Sequence, residues 1–156
     1  MRIHLIAVGT RMPQWVQTAY EEYAKRLPRE CQLVLKEIEP AKRSKSTSVA
    51  NLKTEEKKRI LAALPKDAFV VALDVTGKNI STEVLAEKLS EWMFSGRDIV
   101  LLVGGPDGLH EDCLRLADWR WSLSALTFPH PVVRVILAEQ IYRSWSFTQN
   151  HPYHRA

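Results

Sequence analysis

A chain of 156 residues has room for one domain that buries roughly two-thirds of its extended-chain surface, so no second domain is required. No apolar run approaches the ~20 residues that span a bilayer, and MRIHLIAVGT opens as a strand-like alternation without a secretory cleavage site, which makes the cytoplasm the expected location. The net charge of +4 permits an RNA partner without requiring one, and Cys31 and Cys113, lacking CxxC or Cys-His spacing, argue against a structural disulfide or a zinc site.

Ile3 to Val8 alternate and then run apolar into Gly9, the pattern of a first strand. Pro13 suits the first turn of a helix in which Trp15, Val16, Ala19, Tyr20, Tyr23, Ala24 and Leu27 recur at three-and-four spacing until Pro28 stops it. Cys31 to Glu39 reads as a half-buried strand. The polar, basic stretch from Pro40 to Val49 has no packing signal and reads as a mobile loop. Its charges, Lys42, Arg43 and Lys45, read first as a solvated run. A Lys- and Glu-rich helix follows from about Asn51 to Leu64. Ala68 to Leu73 is a third strand, ending at Asp74 in a turn that contains Gly77. Ser81-Thr82-Glu83 opens an amphipathic helix that runs to Gly96.

The fourth strand, Ile99 to Val103, is five consecutive apolar residues bounded by Gly-Gly-Pro, too short for a helix and apolar enough to be buried on both faces. His110 to Ala117 suits a short helix, Trp119 to Leu123 a short strand, and Val132 to about Phe147 a final helix. The alternation predicts an α/β fold, a mostly parallel sheet with helices on both faces. The final helix is apolar on nearly every side (Val132, Val133, Val135, Ile136, Leu137, Ala138, Ile141, Tyr142, Trp145 and Phe147). A terminal helix in a domain of this size normally keeps one face in water, so the second apolar face predicts a homodimer seam.

Ligands of open α/β sheets bind outside the carboxyl ends of the strands, and paired glycines let main-chain groups approach a ligand closely. GGPDG after the fourth strand fits such a site, although it fits a plain turn equally well. Ser122 to Pro131, SLSALTFPHP, has neither helical nor strand period yet is apolar in its middle. Its amides and carbonyls could hold a ring such as adenine against Leu123, Leu126 and Phe128, or it could be a core loop before a helix. Neither GxxxxGK[ST] nor GxGxxG is present, which argues against triphosphate and dinucleotide sites. His130 stands between two prolines and could act near neutral pH, or merely cap a helix or contact phosphate. In the tail NHPYHRA, two histidines make an incomplete metal set. Tyr153 and Arg155 are residue types that stack on bases and grip phosphates, although a disordered tail is the usual reading of a terminus.

From IAVGTRMPQWVQTAYEEYAKRLP through LLVGGPDGL and SLSALTFPHPVVRVILAEQIYRSW to NHPYHR, the whole chain closely resembles the ribosomal RNA large subunit methyltransferase H family, small members of the SPOUT class. The resemblance implies a C-terminal α/β trefoil knot, which no periodicity would predict. It implies transfer of a methyl group from S-adenosyl-L-methionine to N3 of pseudouridine 1915, in helix 69 of 23S rRNA within the assembled 70S ribosome. It further implies a homodimer, with no metal, membrane or DNA involved. By resemblance the methyl donor is held by Leu73, by Gly104 with Gly105, and by Leu123, Ser124, Ala125, Leu126, Thr127 and Phe128. The resemblance also implies that the tail, Tyr153, His154 and Arg155, lies near the active site. His130, Arg143, His154 and Arg155 are then the candidates for a base or a cation at the target imide, with Arg134 and the tail expected at the RNA. Two further readings are a methyltransferase acting on another nucleotide and a ribosome-binding assembly protein with a donor pocket but no transfer. A flavodoxin-like binder of another small ligand is a more distant one.

Overall fold

The structure, a computed structural model, describes residues 1–155. Its frame is a five-stranded sheet in the order β2-β1-β4-β3-β5, built from β1 (Arg2–Val8), β2 (Gln32–Ile38), β3 (Phe69–Lys78), β4 (Ile99–Val103) and β5 (Trp119–Trp121). Every paired neighbour runs parallel, as expected when each strand returns through a helix. The helices are α1 (Gln14–Ala24), α2 (Val49–Ala63), α3 (Thr82–Ser95), α4 (Glu111–Leu116) and α5 (His130–Thr148). None of the described helices is long and apolar enough to cross a membrane.

Side chains alternate across the strands and so supply two cores. Ile3, Leu5, Ala7, Val71, Ile99, Leu101 and Val103 pack with Tyr20 of α1, Leu85, Leu89 and Trp92 of α3, and Leu137, Ala138 and Ile141 of α5. Ile6, Val8, Val70, Ala72, Val100 and Leu102 pack on the other side with Ile60 of α2 and Cys113 of α4. All five residues of β4 are buried. That double burial is why the segment reads as an unbroken apolar run and not as an alternation. Cys31 and Cys113 are both buried and unpaired.

The helix ends follow their local chemistry. The Ser48 side chain accepts from the Asn51 amide at 3.1 Å and the Ser81 side chain from the Val84 amide at 3.2 Å, each satisfying an orphan donor of the first turn. Gly96 closes α3 in the left-handed region, with φ 71°, where a glycine carries no Cβ penalty. The α1 helix stops at Ala24 and not at Leu27. Its last turn tightens, the Leu27 amide bonding to Ala24 O at 3.2 Å before Pro28.

One expected turn is a strand instead. β3 continues past Leu73 to Lys78 through an irregularity in register and pairs again with Trp121, and the Ser122 amide donates to Lys78 O at 3.0 Å. Gly77 is there for close approach, because a Cβ at that position would lie 2.7 Å from the Trp121 amide nitrogen. β5 ends at Trp121, two residues earlier than expected, and the irregular segment begins at once.

Candidate active site

A cavity of about 710 Å³ opens where β4 and β5 end, beside the irregularity in β3, a size that suits a small organic ligand. Leu73 to Val75 form one wall, Val103 to Leu109 a second, and Trp121 to Ser124 with Leu126 to His130 a third; Lys53 of α2, Leu114 of α4 and Val133 of α5 complete it. Leu73, Gly104, Gly105, Leu123, Ser124, Leu126, Thr127, Phe128 and His130, from three stretches far apart in the chain, therefore meet around one space. Ala125 belongs to the same loop but is exposed and not on the wall.

The glycine turn is closed by its own backbone. The Gly108 amide donates to Gly105 O at 2.9 Å, and a Cβ on Gly104 would lie 2.6 Å from the Gly108 carbonyl carbon. Asp107, at the tip, is gripped by Arg43 of the basic loop, and that loop is rooted by Ala41, whose amide donates to the buried Glu56 carboxylate at 3.1 Å. The opposite wall is held by Asn79, which donates to Ser122 O at 2.8 Å, and by the Ser124 hydroxyl, which accepts from the Leu126 amide at 2.9 Å. Leu126 nonetheless remains 70% exposed, an apolar side chain at the mouth of the cavity.

His130 begins α5 and faces the cavity. Burial, and then the positive charge of Arg134, hold its imidazole below the usual histidine range, so the ring favours its neutral form. Arg134 departs from the expectation that it contacts RNA. Only 2% of it is exposed, with one guanidinium nitrogen donating to Gly9 O at 2.8 Å and another to the Glu37 carboxylate at 2.7 Å. A guanidinium committed to two interior acceptors braces the ends of β1 and β2 against α5.

The tail forms a 3-10 turn, Pro152–Arg155, packed on the far end of α5. Tyr153 donates to Glu139 at 3.1 Å, its ring lying 4.7 Å from Tyr142 and 4.9 Å beneath the Arg143 guanidinium. Arg143 in turn donates to Glu139 at 2.7 Å. His154 rests on Phe147 with ring centroids 4.9 Å apart, while Arg155 is exposed. His130 and Arg143 lie on one helix, separated by roughly 20 Å at 1.5 Å per residue. Within one chain the candidate residues thus divide into two groups, His130 at the cavity and Arg143, Tyr153, His154 and Arg155 at the other end of α5.

Sequence reasoning missed Lys53, Asp107 and Val133 as wall residues. Asp107 carried a signal, its place in the glycine turn, whereas Lys53 is one of many lysines on a polar helix. Among the described residues no three His, Cys, Asp or Glu side chains cluster as a metal site.

The chain is similar along its length to known methyltransferases. A family model described as a predicted SPOUT methyltransferase matches residues 1–154. Ribosomal RNA large subunit methyltransferase H of Thioalkalivibrio sulfidiphilus is 61% identical over 155 residues, covering 99% of both chains. The protein of the same name from Hydrogenovibrio crunogenus is 57% identical with the same coverage. In fold, a probable methylase family protein from Haemophilus influenzae superposes with a TM-score of 0.53 at 16% identity, covering 97% of this chain and 69% of that one. A structure described as giving insights into the 2-OH methylation of C/U34 on tRNA does so with a TM-score of 0.52 at 18% identity, covering 94% of this chain and 97% of that one. With the strand-end cavity, the glycine turn and full-length identities above one half, the chain belongs to the SPOUT methyltransferase family, alongside the ribosomal RNA large subunit methyltransferase H proteins.

Proposed function

We propose that this protein transfers a methyl group from S-adenosyl-L-methionine to N3 of pseudouridine 1915, in helix 69 of 23S rRNA in the assembled 70S ribosome. The same reading makes it a cytoplasmic homodimer with its C-terminal third threaded as a trefoil knot. The observation that carries the proposal is the convergence of Leu73, the Gly104-Gly105 turn and the Leu123 to Phe128 segment around one strand-end cavity. Its walls offer main-chain amides and carbonyls to a purine and apolar side chains to its faces.

The bound donor supplies an activated methyl group, so neither a metal nor a covalent nucleophile is required. The protein's work is to hold donor and acceptor in line at about 3 Å. The acceptor imide must lose its N3 proton around the time of transfer, and a base with a neutral ring at working pH serves that need. Of the four candidate residues only His130 lines the cavity, and we assign it the role of proton acceptor. Arg143, His154 and Arg155 would approach the same cavity from a second copy of the chain, where the positive charge of the two guanidiniums would favour the developing imide anion. The dimer reading is supported by α5, which leaves Val132, Val135 and Ile136 half-buried and Phe147 40% exposed.

The deciding experiment is transfer of a tritiated methyl group to 70S ribosomes and to separate subunits, with pseudouridine present or absent, followed by mapping of the modified nucleotide. Label at N3 of that pseudouridine in 70S particles is the expected result. Label at another nucleotide would reassign the substrate, and donor binding without any transfer would reassign the protein as a binding factor.

A further inference from the structure

The cavity wall accounts for His130, but not for what lies beneath it. Arg134 is one helical turn further along α5, fully enclosed, and bonded to Gly9 O at 2.8 Å and Glu37 at 2.7 Å. Gly9 has φ 129°, a conformation that disfavours any side chain, and a Cβ there would fall 3.2 Å from the His130 ring and 3.4 Å from the Arg134 guanidinium. The imidazole and the guanidinium thus both border the space over the Gly9 Cα, the position a side chain there would fill. Among the described residues the buried Nδ1 of His130 and Nε of Arg134 have no hydrogen-bond partner, so the guanidinium acts on the ring through space.

We propose that Arg134 is a positioning residue for methyl transfer: it clamps the Gly9 turn, whose open Cα face His130 also borders, and places a fixed positive charge near that ring, so that His130 meets the substrate as an uncharged proton acceptor. A cation in a poorly solvated site disfavours a second positive charge nearby. An arginine fits the role because it forks to two acceptors and never deprotonates, whereas a lysine there could discharge. The proposal rests on the reading of His130 as the acceptor. In the step concerned, the methyl–sulfur bond breaks with its electron pair kept by sulfur, and the N3 electron pair forms the new bond to carbon. The N3 proton passes to the imidazole and from there to solvent.

The charged groups around the pair are few. Glu37 of β2 and Tyr20 of α1 face Arg134, and burial raises the Tyr20 hydroxyl far above its ordinary value. Around the cavity stand Lys53 of α2, Asp74 of β3 and Asp107 of the glycine turn, the last paired to Arg43.

The test follows the five histidines by NMR titration of their ring protons, His130 being identified by its loss in His130→Gln. The pH profile of methyl transfer is recorded beside it. In Arg134→Gln the His130 midpoint should rise by about half a unit or more, and the acidic limb of the transfer profile should rise with it. Arg134→Lys, which keeps a cation but not the fork to two acceptors, should restore the low midpoint only in part. Glu37→Gln leaves the guanidinium in place without its counter-charge and should displace both readouts in the opposite direction, which keeps the proposal testable if Arg134→Gln does not fold. A midpoint unchanged in both variants, with only thermal stability reduced, would overturn the proposal and leave Arg134 a structural brace. A midpoint that moves while the transfer profile stays put would instead overturn His130 as the acceptor.

Discussion

Gly104 and Gly108 face each other across the turn that ends β4, so closely that a Cβ on Gly104 would fall 2.6 Å from the Gly108 carbonyl carbon and 2.8 Å from the Leu109 amide nitrogen. Backbone is on both sides and neither can yield cheaply. Gly104→Ala should therefore open the turn and weaken S-adenosyl-L-methionine binding by tenfold or more, about 1.4 kcal/mol or above. Gly96→Ala is the control. It meets nothing within 4 Å but keeps φ 71°, so it should cost about 1 kcal/mol of stability and leave donor affinity unchanged. Calorimetric titration with the donor and a thermal melt of each variant separate the two effects.

Gly77 tests a different kind of glycine. Its Cβ would lie 2.7 to 2.8 Å from the Arg120 and Trp121 backbones, where β3 resumes pairing with β5 immediately before the Ser122 to Phe128 wall. Gly77→Ala should destabilise the fold by about 1–3 kcal/mol, the usual cost of forced overpacking. It should also lower donor affinity, because the displaced strand carries that wall. A chemical denaturation curve and a donor titration measure both, and normal affinity in the variant would show the wall to be independent of β3.

Gly77 also marks what the sequence leaves hidden. A lone glycine after an apolar run reads as a turn because turns are where glycine is commonest; that it lies against another strand depends on a partner more than forty positions away. β4 was legible for the converse reason, since double burial is written directly into five apolar letters. Gly104 and the Leu123 to Phe128 segment could be placed beyond strand ends from the sequence, whereas Leu73 entered the site only through the family resemblance and lies within β3, and Lys53 lies on a polar helix face with nothing to single it out. Arg134 was misjudged because arginine is rarely enclosed, and its two acceptors, Gly9 O and Glu37, come from two other strands' ends. The division of the candidate residues between the two ends of α5 was calculable from helix length, but the tail's packing against Glu139 and Tyr142 was not.

That division makes a prediction about subunits. If the tail of one chain serves the cavity of another, His130→Ala and Arg155→Ala should each be nearly inactive alone. Mixed and allowed to exchange, they should recover up to about a quarter of wild-type activity, because half of a statistical mixture is heterodimer and each heterodimer holds one intact site of two. Tritium transfer to 70S ribosomes after mixing measures this. Activity that never exceeds the average of the two separate variants would place both groups in the same subunit.

Tyr153 donates to Glu139 and lies under Arg143, so it ties the tail to α5. Tyr153→Phe removes the hydrogen bond but keeps the ring, and should cost about 0.5–1.5 kcal/mol. Transfer should fall while donor affinity stays the same, since the cavity walls are elsewhere. Arg155→Ala, at an exposed position, should lower transfer with no loss of stability. Kinetics at saturating donor, set beside a thermal melt, distinguish an ordering role for Tyr153 from a direct role for Arg155.

At the opposite end of the sheet, His4 of β1 meets Asp98 at 3.0 Å, and the Arg2 amide donates to the same carboxylate at 3.0 Å. The hydrogen bond with His4, followed by that from Arg2, holds Asp98 below the ordinary aspartate range. A carboxylate lowered on folding takes up its proton later in the native state than in the unfolded chain. Its contribution is therefore complete above the unfolded value of about 3.9 and is lost as pH falls through the lower folded one. The side chains are 19% and 38% exposed, and solvent screening keeps the pair below about 1 kcal/mol. Asp98→Asn should melt at a lower temperature than the wild type at pH 6 to 7, and the gap should narrow steadily below about pH 4. A gap that persists undiminished to the lowest pH at which both chains fold would mean that Asp98 acts through shape and hydrogen bonding, with its charge contributing nothing.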